Sequence, residues 1–238
     1  MPTTTVRWDD HVATLTLDDG KANAFRPETL DDLEAALDAA EAGNARALVI
    51  AGRPGFFSGG LDLKVLPTLE PAARTRTFAR FGRAVMRIWQ SPVPVVAAID
   101  GHALGGGAIL ALAADVRLVS TRESRIGLVE VAVGLPVPAF AVEMARAALP
   151  TPTLLPAVLH GRTWSLAGAV DAGWAESAHA PDSVPEAAHT RAQALAALAR
   201  GAHATTKRHL LGPLFARAEA SFDAEVDAFI SAFEARPA

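Results

Sequence analysis

Two stretches decide the reading of this chain: Phe57-Ser58-Gly59-Gly60-Leu61-Asp62-Leu63-Lys64 and Gly101-His102-Ala103-Leu104-Gly105-Gly106-Gly107. Each follows a continuous apolar run, Ala47 to Ala51 and Val93 to Ile99. Such runs mark strands that are covered on both faces. Each run is expected to enter a Gly-rich turn, Gly52 to Gly60 and Gly101 to Gly107. The turns are expected to lead into helical segments, Leu61 to Lys64 and Ala108 to Ala114. The first N–H groups of a helix have no backbone partner, and glycine lets a ligand oxygen approach them closely. Two such donors aimed at one point make an oxyanion hole. Taken singly, either turn reads equally well as an ordinary strand-to-helix connection.

Working outward, Val6 to Leu17 reads as a strand pair broken at Asp9-Asp10, its second half alternating with period two. Pro27 to Ala42 reads as a helix. Pro27 suits its first turn, acidic residues suit its positive end, and Leu30, Leu33 and Leu37 form a stripe. Thr77 to Gln90 reads as a second helix and Val116 to Ser120 as a strand. Strands alternating with helices give an α/β class. The character changes at Val184. Glu186 to Arg200 and Leu214 to Phe233 read as helices broken at Gly201 and Gly212-Pro213. The chain is therefore divided into a core, residues 1–183, and a C-terminal helical region, residues 184–238.

The bulk numbers exclude several function classes. The chain has 238 residues, half of them hydrophobic, enough for one sizeable core. It has no cysteine, so disulfides, thiolate nucleophiles and Cys-based zinc sites are all excluded. The net charge is −4 and the arginines are scattered, which argues against nucleic acid. No segment has the length of a membrane span, a secretory signal or a peroxisomal tripeptide, so a cytoplasmic address and no membrane partner are expected. There is no G-x-x-x-x-G-K-[ST], and Ser58 lacks the leading glycine of a nucleophile elbow. The seven histidines show no metal-ligand spacing, and no metal site is expected.

The two opening stretches resemble the F-x-x-G-x-D-x-K and G-x-x-x-G-G-G segments of the crotonase (enoyl-CoA hydratase/isomerase) superfamily. Lys21-Ala22-Asn23-Ala24-Phe25 resembles its early N-A-L segment. Arg125 to Glu130, with Gly134-Leu135-Pro136, resembles its catalytic-glutamate segment. The matches come in family order over residues 6 to 180. The resemblance implies an α/β spiral of ββα units with a C-terminal helical region that assists trimer formation, hence a homotrimer or dimer of trimers. It implies an acyl-CoA thioester substrate, with coenzyme A as part of that substrate and no further cofactor. The oxyanion donors it implies are the N–H groups of Leu61 and Gly106. Contacts to the CoA moiety are implied for Ala22, Ala24, Gly60 and Lys64, and substrate contacts for Ile109 and Pro136.

The carboxylate count bears on the reaction. Hydratases of the superfamily use two glutamates; here the first position is Ile109 and the second is Glu130. Adding water across a double bond divides acid and base work between two groups, whereas moving a proton from C2 to C4 of a 3-enoyl thioester needs one. The expectation is therefore a single-glutamate isomerase. A hydratase with a second carboxylate from elsewhere, such as Glu123 or Glu143, and a non-catalytic acyl-CoA binder are the alternatives. Glu130 stands in the apolar run Val129 to Val133, where burial would raise its pKa. Asp62 and Asp115 read as structural. Val65, Leu66, Phe78, Val137 and Phe140 are candidates to line an acyl tunnel.

Overall fold

The computed structural model describes residues 2–236. The larger sheet runs β1 (Thr4–Asp9), β2 (Val12–Leu17), β4 (Ala47–Ala51), β7 (Val95–Ile99), β9 (Val116–Ser120), β12 (Ser177–His179). The first pair is an antiparallel hairpin and every later pair is parallel. A second sheet runs β11 (Trp164–Ser165), β10 (Arg125–Gly127), β8 (Gly101–Leu104), β5 (Gly55–Ser58). A two-stranded ribbon pairs β3 (Ala24–Phe25) with β6 (Gly60–Leu61).

The helices close each turn of a spiral. β4 and β5 lead to α2 (Pro71–Trp89), β7 and β8 to α3 (Gly106–Leu112), and β9 and β10 to α4 (Ala139–Ala148). β2 and β3 lead likewise to α1 (Pro27–Ala42), and α5 (Thr151–Val158) follows α4. This is the ββα architecture expected. The apolar run of β4 serves two cores by period-two alternation. Ala47 and Val49 face α6 (Val184–Ala196), whose stripe Val184, Ala188, Ala192, Ala196 covers that side. Leu48 and Ile50 face the main core.

Four local expectations are corrected. Gly101 to Leu104 is a strand, not a turn: at Gly101 the chain passes from the larger sheet into the smaller one and pairs with both β5 and β10, and the tight turn is confined to Gly105 at φ +53°. Leu61 to Lys64 is not helical, because Leu61 is held in the ribbon against Phe25. The second helix starts six residues early, at Pro71, whose missing N–H costs nothing in a first turn. Finally, α7 (Arg200–Glu234) runs unbroken through Gly212-Pro213. Tertiary anchors on both sides override the helix breaker: Lys207 is buried before it, and Phe222, Val226 and Phe229 are buried after it.

The residues beyond 183 form α6 and α7. The first covers the large sheet, and the second lies along α4 and α2. Phe222 of α7 fills the space left by Gly82 of α2.

Candidate active site

The first Gly-rich segment is held by Asn23, which sits at φ +50°. Its Nδ2 donates to the carbonyls of Leu17 (2.8 Å), Phe56 (3.0 Å) and Phe57 (3.2 Å). Its own carbonyl accepts from Ser58 Oγ at 2.7 Å, and Gly59 N donates to Ala22 O at 2.8 Å. Beyond these anchors, Gly60 N donates to Ser58 Oγ (3.1 Å) and Asp62 N to Phe25 O (3.0 Å). Peptide groups alternate along a strand, so the Leu61 N–H between them points away from β3. Asp62 Oδ1 then accepts from Lys64 N (3.0 Å) and Val65 N (3.1 Å), which ties the next turn.

The second segment enters α3 through Gly105, whose N–H donates to Gly127 O at 3.0 Å. Ile109 N closes the first helical turn onto Gly105 O, so Gly106 N–H has no preceding carbonyl to bond. The two segments are in backbone contact. A β-carbon on Gly60 would lie 2.6 Å from Gly106 N, and one on Gly106 would lie 3.3 Å from Leu61 N. A β-carbon on Gly107 would strike the Ser58 carbonyl. The glycines therefore bring the Leu61 and Gly106 nitrogens beside one another.

Glu130 follows β10 and starts a short 3-10 turn, Val131–Val133. It is only 7 % exposed, and its Oε2 has no hydrogen-bond partner among the described residues. Its Oε1 stands 3.5 Å from where a β-carbon on Gly105 would be, beside the start of α3. Burial pushes its pKa up to about 7. A buried carboxylate poised there is suited to exchange a proton near neutral pH.

These groups line one cavity. Gly59 and Val133 stand at its exposed side; Leu61, Gly105, Gly106 and Glu130 line its polar part. Leu63, Phe78, Phe81, Ile109, Leu135, Pro138 and Phe229 make the apolar walls. Glu130 is the only carboxylate lining it among the described residues. Glu123 is exposed elsewhere, and Glu143 is bound to Arg217 at 2.7 Å outside it.

Of the residues singled out in the sequence, the cavity thus gathers Leu61, Gly106, Ile109 and Glu130. Ala22, Ala24, Gly60 and Lys64 do not line it. The first two flank Gly59 and Gly60, and Lys64 is exposed beyond Asp62. Pro136 is exposed and does not line it either, beyond Gly134 at φ +75°. That reversal turns Leu135 inward, its N–H donating to Glu130 O at 2.9 Å. Of the tunnel candidates only Phe78 lines the cavity; Leu66 and Phe140 are buried in the core. Sequence reasoning missed Phe81, Phe229 and the anchoring role of Asn23. The periodicity of α2 could have offered Phe81. No local signal ties Phe229 to a cavity built from residues 59–138.

A ββα spiral that brings a buried glutamate beside two adjoining backbone N–H donors is built to hold a negatively charged oxygen and exchange a proton. The chain belongs to the Enoyl-CoA hydratase/isomerase family, whose model matches residues 7–237. Among solved structures it is similar to an enoyl-CoA isomerase of Mycobacterium tuberculosis. The identity is 30 %, the TM-score 0.89, and the match covers 96 % of this chain and 99 % of that one. An enoyl-CoA hydratase of Mycobacterium marinum is 32 % identical with a TM-score of 0.88, covering 95 % and 99 %. A "probable enoyl-CoA hydratase" of Bacillus subtilis (strain 168) is 37 % identical over 135 residues, 56 % of this chain and 52 % of the relative. The match thus spans about half the length of that curated relative. Both reaction names occur among proteins of similar identity, so names alone do not choose between them. No helix among the described residues is long and apolar enough to cross a membrane.

Proposed function

We propose that this protein moves the double bond of a 3-enoyl-CoA to the 2-position by a single-glutamate proton shuttle. The observation that carries the reading is the cavity's carboxylate complement: Glu130 lines it, Ile109 stands where a second acid would be, and no other described lining residue is ionisable. The thioester oxygen accepts from the N–H groups of Leu61 and Gly106. Glu130, as carboxylate, takes a proton from C2. The charge spreads over a dienolate whose oxygen is held by those two donors. The same glutamate returns the proton at C4, leaving the double bond between C2 and C3 and the base regenerated. Losing one such donor typically costs about 2.7–4 kcal/mol of barrier. The CoA moiety lies along Ala22, Ala24, Gly60 and Lys64 on the Gly59 side.

Hydration is the second reading, favoured by the hydratase names of several relatives. It needs a second acid/base that the cavity's described residues do not supply. The test is to give purified protein a 3-enoyl-CoA and, separately, a 2-enoyl-CoA. Isomerisation of the first without hydration of the second supports the proposal. Hydration of the second supports the alternative, and tight binding with neither reaction means a non-catalytic acyl-CoA binder.

A further inference from the structure

We infer that the stacked rings of Phe78 and Phe229 form the end wall of the acyl pocket and restrict this protein to short acyl chains. The inference rests on the proposed reading of the cavity as an acyl-thioester site. The two rings lie face to face, 3.9 Å between centroids and 2° from parallel, and both line the cavity. They are 0 % and 3 % exposed, whereas two other lining residues, Gly59 and Val133, are open to solvent. The stack therefore belongs to the closed wall of the cavity.

The wall stands close to the proposed chemistry. Phe81 touches Gly106: its ring edge is 3.0 Å from where a β-carbon on Gly106 would sit. Phe78 precedes Phe81 by three residues on the same face of α2, about 5 Å along the helix axis. From the thioester held at Gly106 the chain can add only a few methylenes before meeting the stack. Nor can the wall yield easily. Phe140 packs 6.3 Å behind Phe78, and Phe222 packs 5.8 Å behind Phe140. Phe222 occupies the notch at Gly82 and is covered by the Arg83 guanidinium at 3.8 Å. The same cavity must hold the thioester as well as the acyl chain. One ring of the wall comes from α7, so the C-terminal helix sets substrate length.

The test compares 3-hexenoyl-CoA with 3-dodecenoyl-CoA as substrates. In parallel, hexanoyl-CoA and dodecanoyl-CoA are titrated into the Glu130→Gln protein, where no turnover is needed. The wild type is expected to favour the six-carbon substrate at least tenfold in kcat/KM, since a single misfitting methylene already weighs about tenfold or more. An open tunnel would do the reverse and reward each added methylene. Phe229→Leu, which keeps the site apolar but removes the stack, should raise the long-to-short ratio at least tenfold. Phe229→Ala should raise it further; if that variant does not fold, the leucine variant decides. A wild type indifferent to length, or a folded Phe229→Leu protein with an unchanged ratio, overturns the inference. If neither 3-enoyl-CoA is turned over but binding retains the length preference and shifts with Phe229→Leu, the isomerase reading falls and the wall stands.

Discussion

Gly60 is packed against Gly106 so closely that a β-carbon on Gly60 would lie 2.6 Å from the Gly106 nitrogen and 2.9 Å from the Leu104 oxygen. Gly60 also sits at φ +84°, a conformation costly for any other L-residue. Gly60→Ala therefore does two separable things. The backbone term lowers stability by about 1–2 kcal/mol. The added methyl also blocks or displaces the Gly106 donor, and kcat/KM should fall by about a hundredfold or more. Thermal melts and kinetics measured together check both. A folded Gly60→Ala protein with near-normal kcat would remove Gly106 N–H from the mechanism.

Glu130 makes a pH prediction with a definite sign. A base must be deprotonated, and burial holds this carboxyl's pKa at about 7. Activity should rise from pH 5 and level off above about pH 8, with an apparent pKa near 7. Glu130→Gln should abolish turnover at every pH while leaving acyl-CoA affinity nearly intact. The same shift fixes the effect on stability. The folded pKa lies above the ordinary value of 4.5, so the folded state binds the proton more tightly. That contribution is fully present below about pH 4.5 and is lost as pH rises through 7. At pH 8 the wild type holds a buried charge, and Glu130→Gln should be more stable by on the order of 2–3 kcal/mol. Near pH 4.5 the two should unfold alike. Denaturant curves at the two pH values measure this.

What the sequence made legible follows physical range. Pro27–Ala42, Ala47–Ala51 and Val116–Ser120 end where the sequence places them, because their signals are local: a proline start, an unbroken apolar run. The strands of the smaller sheet escaped because two to four residues carry no periodicity, and glycines hid Gly101–Leu104. Leu61, Gly106, Ile109 and Glu130 were legible as one group through family motifs rather than through residue chemistry alone. That Leu135 rather than Pro136 lines the cavity was illegible because a left-handed Gly134 decides which neighbour faces inward, and a sequence does not print φ. Phe229 was illegible because its place depends on how a 35-residue helix returns across α2 and α4.

Ile109 offers a gain-of-function test of the carboxylate count. It is 2 % exposed, lines the cavity, and lies one helical turn from Gly105. Ile109→Glu places a second carboxyl in the same apolar space as Glu130. Burial and the neighbouring carboxyl should push one of the two pKa values further up. The variant should lose about 1–3 kcal/mol of stability and acquire measurable hydration of 2-enoyl-CoA, followed as loss of the conjugated thioester's absorbance. Isomerisation should fall at the same time. If the folded variant isomerises as before and hydrates nothing, residue 109 does not govern the choice of reaction.

The helix that carries Phe229 is also anchored by an ion pair nearer its start. Lys207 of α7 is 6 % exposed, and its Nζ lies 2.8 Å from Asp115 Oδ1, while Asp115 Oδ2 accepts from Val95 N at 2.9 Å. One aspartate thus joins the end of α3, the start of β7 and the long C-terminal helix. Lys207→Met keeps the apolar stem but leaves Asp115 Oδ1 without its cation. Removing one member of a buried pair costs more than the pair contributes, because the survivor stays desolvated. Asp115 is partly exposed, with 23 % of its side chain open, so the loss should be about 1–3 kcal/mol rather than the larger values seen at fully buried pairs. In a domain this size that lowers Tm by roughly 2–4 °C per kcal/mol. Asp115→Asn combined with Lys207→Met retains an acceptor for Val95 N and removes the stranded charge. The double variant should therefore be more stable than Lys207→Met alone. A double-mutant cycle from melts of the four proteins gives the coupling directly. Zero coupling would mean that α7 is held by its aromatic face alone.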